Sequence, residues 1–275
     1  MDKSINAWSV PNPVSWEKMF ESVAQAGFAT IELNIDRDGA SAHSIPLADD
    51  PALYRQIRSL GAQFQLPVCS VSTSLYGAAL GSRLVAERRR GQDLLRRQLA
   101  CARELGARDI LVVPGGIEPG TAPAEAYALV ADTLGELLPE IEASGIRVGF
   151  ENVWNSFFLT AREMADFIDQ FQCPAIGAYF DVGNVAAFAY PEHWIDTLGQ
   201  RIFHIHVKDF RRSHWFAGTF VNLLEGSIDW PAVARALNRI GYRGSLTAEL
   251  SPLPDCPELL YHMTAEALDY IIAQA

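Results

Sequence analysis

His204-Ile-His-Val-Lys-Asp-Phe210 follows the predicted helix end Leu198-Gly-Gln-Arg201 and alternates polar with apolar side chains. Because successive residues of a β-strand point to opposite faces, Ile205 and Val207 share one face, and the two histidines and Lys208 share the other. If helices cover the outside of this strand, its apolar face points outward. The inner face then carries two imidazoles and an ammonium group, which is poor material for a core and indicates a functional site.

Short apolar runs alternate with longer segments of helical period along the chain, and we count eight such pairs. The predicted strands are residues 5–10, 30–36, 67–74, 109–114, 147–153, 176–181, 202–210 and 245–251. The predicted helices are residues 15–26, 51–65, 83–106, 123–144, 160–171, 191–199, 229–240 and 258–273. Eight pairs without a linker favour a single-domain α/β fold, a (β/α)8 TIM barrel over residues 1–275. The glycine-rich turn at residues 114–120 lacks the G-x-G-x-x-G spacing of a dinucleotide site.

Several predicted helices carry end signals. Thr160 and Glu163 have the spacing of a capping box at a helix start. Glycines that follow a helical segment and precede a strand suit the left-handed position after a helix, where a Cβ would clash. These glycines are Gly27, Gly61, Gly106, Gly145 and Gly241.

Composition restricts the partners and the compartment. The formal net charge of -11 argues against a nucleic-acid or anionic-membrane partner, because either would favour a basic patch. Neither residues 1–6 nor any later run has the apolar length of a signal or membrane segment, so we predict a cytoplasmic protein. The four cysteines include no C-x-x-C pair, which predicts that most are free core thiols and that neither a disulfide framework nor a zinc knuckle is present.

Ionisable residues recur at the ends of the predicted fifth to eighth strands. In Val148-Gly-Phe-Glu151 the apolar residues face the helices, which turns Glu151 inward. The same alternation turns Asp181 and Glu249 inward. On the seventh strand both histidines are inward, and His206 is nearer to the C-terminal end. Because a barrel builds its active site at the C-terminal ends of its strands, we predict that these four residues meet there.

A cluster of three carboxylates and one imidazole needs a compensating charge, since buried carboxylates repel one another. A divalent cation supplies that charge. Mixed oxygen and nitrogen ligands suit one Mn²⁺ ion best, with Mg²⁺, Co²⁺ or Zn²⁺ as alternatives. The sequence therefore predicts a metal site formed by Glu151, Asp181, His206 and Glu249.

The same residues carry a resemblance to the xylose isomerase-like TIM-barrel superfamily, and within it to the sugar phosphate isomerase/epimerase group. That group includes L-ribulose-5-phosphate 3-epimerases and D-tagatose 3-epimerases. The start of the chain, residues 16–33, resembles it more weakly. The specific motifs are Glu151-Asn152, Asp181-Val-Gly-Asn184, His204-Ile-His-Val-Lys-Asp209, Leu224-Glu-Gly-Ser-Ile-Asp-Trp230 and Ala248-Glu249.

The resemblance implies a mononuclear metal enzyme in which Glu151 and Glu249 are both ligands and the proton-transfer pair. It implies a ketose or ketose phosphate 3-epimerase, or an aldose-ketose isomerase, working through a metal-bound cis-enediolate. One glutamate would remove a proton from the sugar and the other would return one to the opposite face. The group commonly forms dimers or tetramers, so a homodimer or homotetramer is expected.

Further residues are predicted to bind the substrate. Asn184 replaces the histidine of the tagatose epimerases, and Lys208, placed toward the far end of the sugar, could bind a phosphate together with Arg211 and Arg212. Trp8 has inward parity at the end of the first strand. Trp154 and Trp215, just past two strands, could also pack against the sugar. His43, in the polar loop 37–50, is a candidate lid residue.

Three alternatives remain open. A dehydratase acting on a keto-inositol would share the metal and the base. An endonuclease IV-type phosphodiesterase needs three zinc ions and many histidines, whereas this chain has six histidines and a charge of -11. A non-catalytic sugar-binding barrel would not need the pair of Glu151 and Glu249.

Overall fold

The computed structural model describes residues 1–275 and confirms the predicted barrel. Eight parallel strands close in the order β1-β10-β7-β6-β5-β4-β3-β2. Their bounds are β1 (Asp2–Asn6), β2 (Thr30–Asn34), β3 (Val68–Ser72), β4 (Asp109–Val112), β5 (Arg147–Glu151), β6 (Ile176–Asp181), β7 (Ile202–Val207) and β10 (Ser245–Ala248). Two more strands, β8 (Asp209–His214) and β9 (Ala217–Val221), form an antiparallel hairpin outside the barrel.

Helices surround the barrel, and the apolar outer faces of the strands pack against them in one core of 72 buried residues. None of the helices is both long enough and apolar enough to cross a lipid bilayer. Their bounds are α1 (Trp16–Gln25), α2 (Pro51–Gln63), α3 (Val85–Leu105), α4 (Pro123–Gly135), α5 (Leu138–Ser144), α6 (Ala161–Asp169), α7 (Val182–Val185), α8 (Pro191–Leu198), α9 (Trp230–Arg239) and α10 (Pro257–Ile272).

Two helical predictions need correction. The segment predicted as one helix over residues 123–144 is two helices, because Pro139 cannot donate a backbone hydrogen bond within a helix and instead occupies the first turn of α5. The four-residue helix α7 directly after β6 was not predicted. The capping box of Thr160 and Glu163 is present at the start of α6.

Most strands end a few residues before their predicted ends, and two of them, the first and the seventh, differ in a way that affects the site. Strand β1 begins at Asp2, which pairs with Ser245, and it ends at Asn6, where residues 7–9 turn into a 3-10 helix. The predicted seventh strand divides after Val207, its last residue paired with β10. The chain then leaves the barrel and pairs with β9, so that Phe210 lies opposite Phe220. The antiparallel partner, which lies later in the chain, determines this break.

Glycine residues end four helices as predicted. Gly27, Gly106, Gly145 and Gly241 all have positive φ angles, between 69° and 88°. The prediction for Gly61 is wrong, because α2 continues past it and Gln65 takes the left-handed position with φ at 54°.

The loop over residues 37–50 is packed rather than free. His43 is 3% exposed, and its ring nitrogens lie 2.7 Å from Val14 O and 3.2 Å from Ala7 O. Arg97 of α3 donates to three carbonyls of the same loop at 2.7 to 3.0 Å. The hypothesis that His43 belongs to a lid is therefore wrong. All four cysteines are free thiols, as predicted, although Cys256 is exposed.

We expect opposite effects from one change at two glycines. Gly106→Ala places a side chain at φ 73° and should lower the free energy of unfolding by about 1 kcal/mol. Gly135→Ala is the matched control at the last residue of α4, where a Cβ meets nothing within 4 Å. It should raise the free energy of unfolding by about 0.5 kcal/mol through helix propensity. Urea unfolding curves measure both changes in the free energy of unfolding. Equal changes in the two variants would contradict the assignment of Gly106 to a left-handed position that needs glycine.

Candidate functional site

The four predicted ligands meet at the C-terminal end of the barrel. Glu151 ends β5, Asp181 ends β6, His206 lies near the end of β7, and Glu249 follows β10. One donor atom from each lies within 4.8 Å of the others, and three of the four residues are buried. Strand alternation and the shared edge of the barrel therefore bring together side chains that are far apart in the sequence.

Asp181 is held in place on its backbone and on one oxygen. The side chain of Asn152 accepts the Asp181 N–H at 2.8 Å and donates to the Asp181 carbonyl at 2.9 Å. Asp181 Oδ1 accepts the backbone N–H of Asn184 at 2.7 Å, which caps α7. The other oxygen, Oδ2, is buried and accepts no hydrogen bond. That oxygen is directed into the cluster.

His206 is fully buried and uses its two ring nitrogens differently. Its Nδ1 atom faces the cluster, 3.4 Å from Glu151 Oε1 and 3.8 Å from Glu249 Oε2. Asp181 Oδ2 lies 4.0 Å from the same nitrogen. The opposite nitrogen, Nε2, lies 2.8 Å from Glu32 Oε1. Nδ1 is therefore the atom that can coordinate an ion bound by the three carboxylates.

Glu32 on β2 was not predicted as a site residue. It is fully buried, and besides His206 it accepts hydrogen bonds from Asn6, Ser70 and Tyr179. The alternation in Ile31-Glu32-Leu33 could have revealed its inward direction, because a lone charge between two apolar strand residues points into the barrel.

The charges inside the barrel shift one another's pKa values. Burial raises the pKa of Glu32, but the charge of His206 and its hydrogen bond outweigh burial and bring the value down to about 2. Burial lowers the pKa of His206, yet the charge of Glu32 and the hydrogen bonds with Glu151 and Glu32 raise it well above its ordinary value. The imidazole and Glu32 therefore form a strongly attracted pair.

The two glutamates of the cluster shift in opposite directions. Burial raises the pKa of Glu151 to about 6 against the hydrogen bond from His206, and the charges of Glu249 and Asp181 add to the increase. Burial also acts to raise the pKa of Glu249, but the charges of Lys208 and His206 outweigh it and lower the value.

The cluster fits a divalent cation. It offers three carboxylates and one imidazole nitrogen, a donor set that suits Mn²⁺, Mg²⁺, Co²⁺ or Zn²⁺. Asp181 Oδ2 is buried and accepts no hydrogen bond, and its ion pair is with the Lys208 ammonium at 2.9 Å, so this oxygen already sits in a cation-binding position. The surplus of carboxylates over cationic groups also favours added positive charge. These four residues could therefore hold one metal ion.

The sequence suggested that Lys208 lies toward the far end of the sugar. In the structure Lys208 lies beside the cluster instead. Its Nζ atom forms an ion pair with Asp181 Oδ2 at 2.9 Å and donates a hydrogen bond to Glu249. Gly183 permits this approach, since a Cβ there would lie 2.4 Å from Lys208 Cγ. The glycine of the Asp-Val-Gly-Asn motif thus makes room for the lysine.

Two adjoining cavities open over the cluster, with volumes of about 650 and 560 Å³. Both volumes lie within the usual range for small-molecule sites. Trp8, Lys208, Phe220 and Glu249 line both, whereas Asn184 lines the larger one. Further lining residues of the larger cavity are Thr73, Ser74, Glu118, Glu151, Trp154 and Asn155.

Aromatic rings frame this opening. Trp154, which the sequence suggested as a residue that could pack against the sugar, lines the larger cavity. Its Nε1 donates to Asn184 O at 2.7 Å. Its ring centroid is 5.1 Å from that of Phe220 on the hairpin, a residue that sequence reasoning missed. Trp8 lies in the turn after β1 rather than on the strand, and its Nε1 donates to Asp36 at 3.0 Å.

Arg211 and Arg212 do not reach the site. The Arg211 guanidinium donates to Glu225 O, and that of Arg212 donates to the carbonyls of Ala186 and Ala189. The Arg212 guanidinium also lies 4.1 Å from the ring centroid of Trp215. Neither arginine lines the cavities, and nor does Trp215. The structure therefore places the guanidinium groups of this pair on backbone carbonyls around the hairpin and outside the cavity lining.

Asp209, directly after Lys208, organises the loop that follows the hairpin. Its carboxylate accepts the Leu224 N–H at 3.1 Å and the Trp230 indole N–H at 2.8 Å. Gly226 is required beside it, because a Cβ would lie 1.9 Å from the Asp209 carboxylate. The motif over residues 224–230 thus supports the loop rather than lining the metal cluster.

His204 occupies the layer below His206. Its Nδ1 atom is 3.2 Å from Asp109 Oδ2, and its Nε2 atom is 2.7 Å from Thr247 Oγ1. The ring of Tyr179 stacks on His204 with centroids 4.6 Å apart. His204 is therefore a supporting residue with both nitrogens engaged.

Comparison with known proteins agrees with this architecture. The model of the xylose isomerase-like TIM barrel family matches residues 20–266. The 3-oxo-isoapionate decarboxylase of Pectobacterium atrosepticum is 27% identical over 234 residues, which are 83% of this chain and 74% of that protein.

Two solved structures have the same fold. The chain superposes on a D-tagatose 3-epimerase-like protein with a TM-score of 0.81 at 20% identity, covering 100% of this chain and 99% of that one. It superposes on an L-ribulose 3-epimerase with a TM-score of 0.77 at 21% identity, covering 99% of this chain and 94% of that one. Because the family model spans most of the sequence, this chain belongs to the xylose isomerase-like TIM barrel family.

Proposed function

We propose that the protein is a divalent-metal-dependent ketose 3-epimerase, or an aldose-ketose isomerase that uses the same proton transfer. One observation carries this proposal: Glu151 and Glu249 both belong to the candidate metal cluster and both line the same cavity. Strands β6 and β7 separate them around the barrel, so they approach from different sides. Two carboxylates placed in this way can serve the two faces of one carbon atom.

The protein's own residues perform the proton transfer. A bound divalent cation would supply Lewis-acid chemistry that acidifies the carbon next to a carbonyl. One of the two glutamates takes the proton from C3 of the ketose, and the other returns a proton to the opposite face. Lys208 Nζ, next to Glu249, can donate a hydrogen bond to a sugar oxygen. The aromatic rings of Trp8 and Phe220 pack against the C–H surfaces.

The cavity lining favours a free sugar over a sugar phosphate. Lys208 is the single cationic residue in the lining of both cavities, and it already pairs with Asp181 and Glu249. Glu118 adds negative charge to the lining of the larger cavity, and Glu225 adds it to the lining of the smaller one. A phosphate would therefore lack the guanidinium groups that usually bind it.

Metal binding should stabilise the protein through His206. At about a hundred times its dissociation constant, a ligand that binds only the native state adds about 2.7 kcal/mol, which raises the melting temperature. We expect Mn²⁺ to cause such a rise in the wild-type protein and not in His206→Asn. His204→Asn is the matched control from the layer below, and it should retain the rise. Thermal unfolding with and without Mn²⁺ tests this, and an undiminished rise in His206→Asn would contradict the ligand assignment.

Proton transfer should be visible as isotope exchange. In deuterated water with Mn²⁺, we expect one carbon-bound deuterium to enter a free pentulose or hexulose, detected by NMR, and the 5- or 6-phosphate to react at least ten-fold more slowly. Glu249→Gln should abolish the exchange while the protein stays folded. Glu266→Gln, the same substitution at an exposed position of α10, is the control that should keep it. Failure of every ketose, free and phosphorylated, to exchange would refute the epimerase proposal.

A decarboxylase is the second candidate, and the relative of that activity at 27% identity favours it. In a 3-oxo sugar acid the bond to the carboxyl carbon would break, and CO₂ would leave. The electron pair would remain next to the carbonyl until a glutamate delivered a proton. Lys208 offers an ammonium group for the carboxylate. Release of CO₂ from a 3-oxo sugar acid, without exchange in any ketose, would support this candidate over the epimerase.

A further inference from the structure

Glu32 lies outside the four candidate ligands, yet it contacts the only nitrogen donor among them. Its Oε1 atom is 2.8 Å from His206 Nε2, on the side of the ring opposite the cluster. Both side chains are completely buried. The imidazole is thus placed between one carboxylate below and three carboxylates around its Nδ1 atom.

The position of Glu32 determines which nitrogen is available. A neutral imidazole carries its proton on one nitrogen and a lone pair on the other, and the hydrogen bond of the first selects between them. An ionised carboxylate only accepts hydrogen bonds, so it requires the proton of His206 to be on Nε2. With the proton held on Nε2, Nδ1 is the nitrogen that gives up its proton and offers its lone pair when a metal binds, and it faces Glu151 at 3.4 Å. A carboxylate in this position also makes the imidazole a better donor to a metal.

Other residues hold Glu32 for this task. The Oε1 atom also accepts a hydrogen bond from Asn6, and Oε2 accepts hydrogen bonds from Ser70 and Tyr179. The Tyr179 ring meets the His206 ring edge-on, with centroids 4.7 Å apart. These contacts restrict both the rotamer of the carboxylate and the orientation of the imidazole.

We propose that Glu32 is a positioning residue that holds His206 with its proton on Nε2 and its Nδ1 atom directed at the metal, and that Tyr179, Ser70 and Asn6 hold Glu32 in place. This inference rests on the metal site of the proposed function and is independent of which sugar reacts. It predicts that metal affinity depends on a side chain that the metal does not touch.

The experiment is a titration of the metal-free protein with Co²⁺. The visible absorption of the bound ion reports how much Co²⁺ has bound. Loss of such a supporting partner typically lowers metal affinity by about 10- to 100-fold. Glu32→Gln keeps an acceptor for Nε2 but loses the charge, so we expect about ten-fold weaker binding. Glu32→Leu loses the acceptor as well, and we expect about 100-fold weaker binding and a changed Co²⁺ spectrum. Tyr179→Phe should weaken binding less than Glu32→Leu.

Asp109→Asn is the matched control, because Asp109 is the buried carboxylate beside His204 in the layer below. It should lower thermal stability and leave Co²⁺ affinity unchanged. A second measurement uses the zinc-loaded protein labelled with ¹⁵N-histidine, with His206→Asn to assign the signal. In the wild type we expect the His206 proton on Nε2. In Glu32→Leu protein that still binds zinc, we expect a mixture of imidazole rings with the proton on Nε2 and with the proton on Nδ1.

The outcomes separate the two proposals. Unchanged Co²⁺ affinity in a folded Glu32→Leu protein would overturn the role of Glu32 and leave the metal site intact, as would a His206 proton on Nδ1 in the zinc-loaded wild type. If Glu32→Leu does not fold, unchanged affinity in Glu32→Gln together with an unchanged His206 signal would overturn it equally. A wild-type protein that binds neither Co²⁺ nor Zn²⁺ would overturn the metal site itself, and this inference with it.

Discussion

The crowding of negative charge inside one end of the barrel is the constraint on which the site depends. Glu32, Glu151, Asp181 and Glu249 lie around a single imidazole, and ionised carboxylates in a low-dielectric interior repel one another. His206 offsets part of this repulsion. The main-chain clamp on Asp181 holds one carboxylate in the cluster in spite of it. The candidate cation site is therefore also the place where negative charge is most crowded.

The barrel supports this charge in layers. At the bottom, Asp109 pairs with Arg147 at 2.6 Å and with His204 at 3.2 Å, which gives a buried carboxylate a permanent cation. Tyr179 links the layers, because its ring stacks on His204 and its hydroxyl donates to Glu32. Each layer thus pairs a histidine of β7 with a carboxylate from another strand. The lower pair has an arginine as its cation, whereas the upper pair adjoins the candidate metal site.

Much of the site could be predicted because strand alternation is a local property. Glu151 and Asp181 each follow apolar residues of fixed parity, so their inward direction can be inferred without knowing their neighbours. The same rule applies to Glu32 between Ile31 and Leu33, although β2 contributes no residue to the candidate metal cluster itself. Arg211 illustrates the opposite case: its charge suggested a phosphate site, and only the pairing of β8 with β9 showed that its guanidinium points to a backbone carbonyl.

The sequence by itself determined the eight repeated strand and helix units, the four helix-ending glycines and the inward direction of the cluster residues, because periodicity and backbone strain act over a few residues. Only the tertiary structure decided where the chain leaves the barrel after Val207, that Lys208 lies against Asp181, and which nitrogen of His206 faces the cluster. Those features depend on contacts between residues distant in the sequence. The nitrogen of His206 is the clearest example, since its partner Glu32 lies 174 positions away.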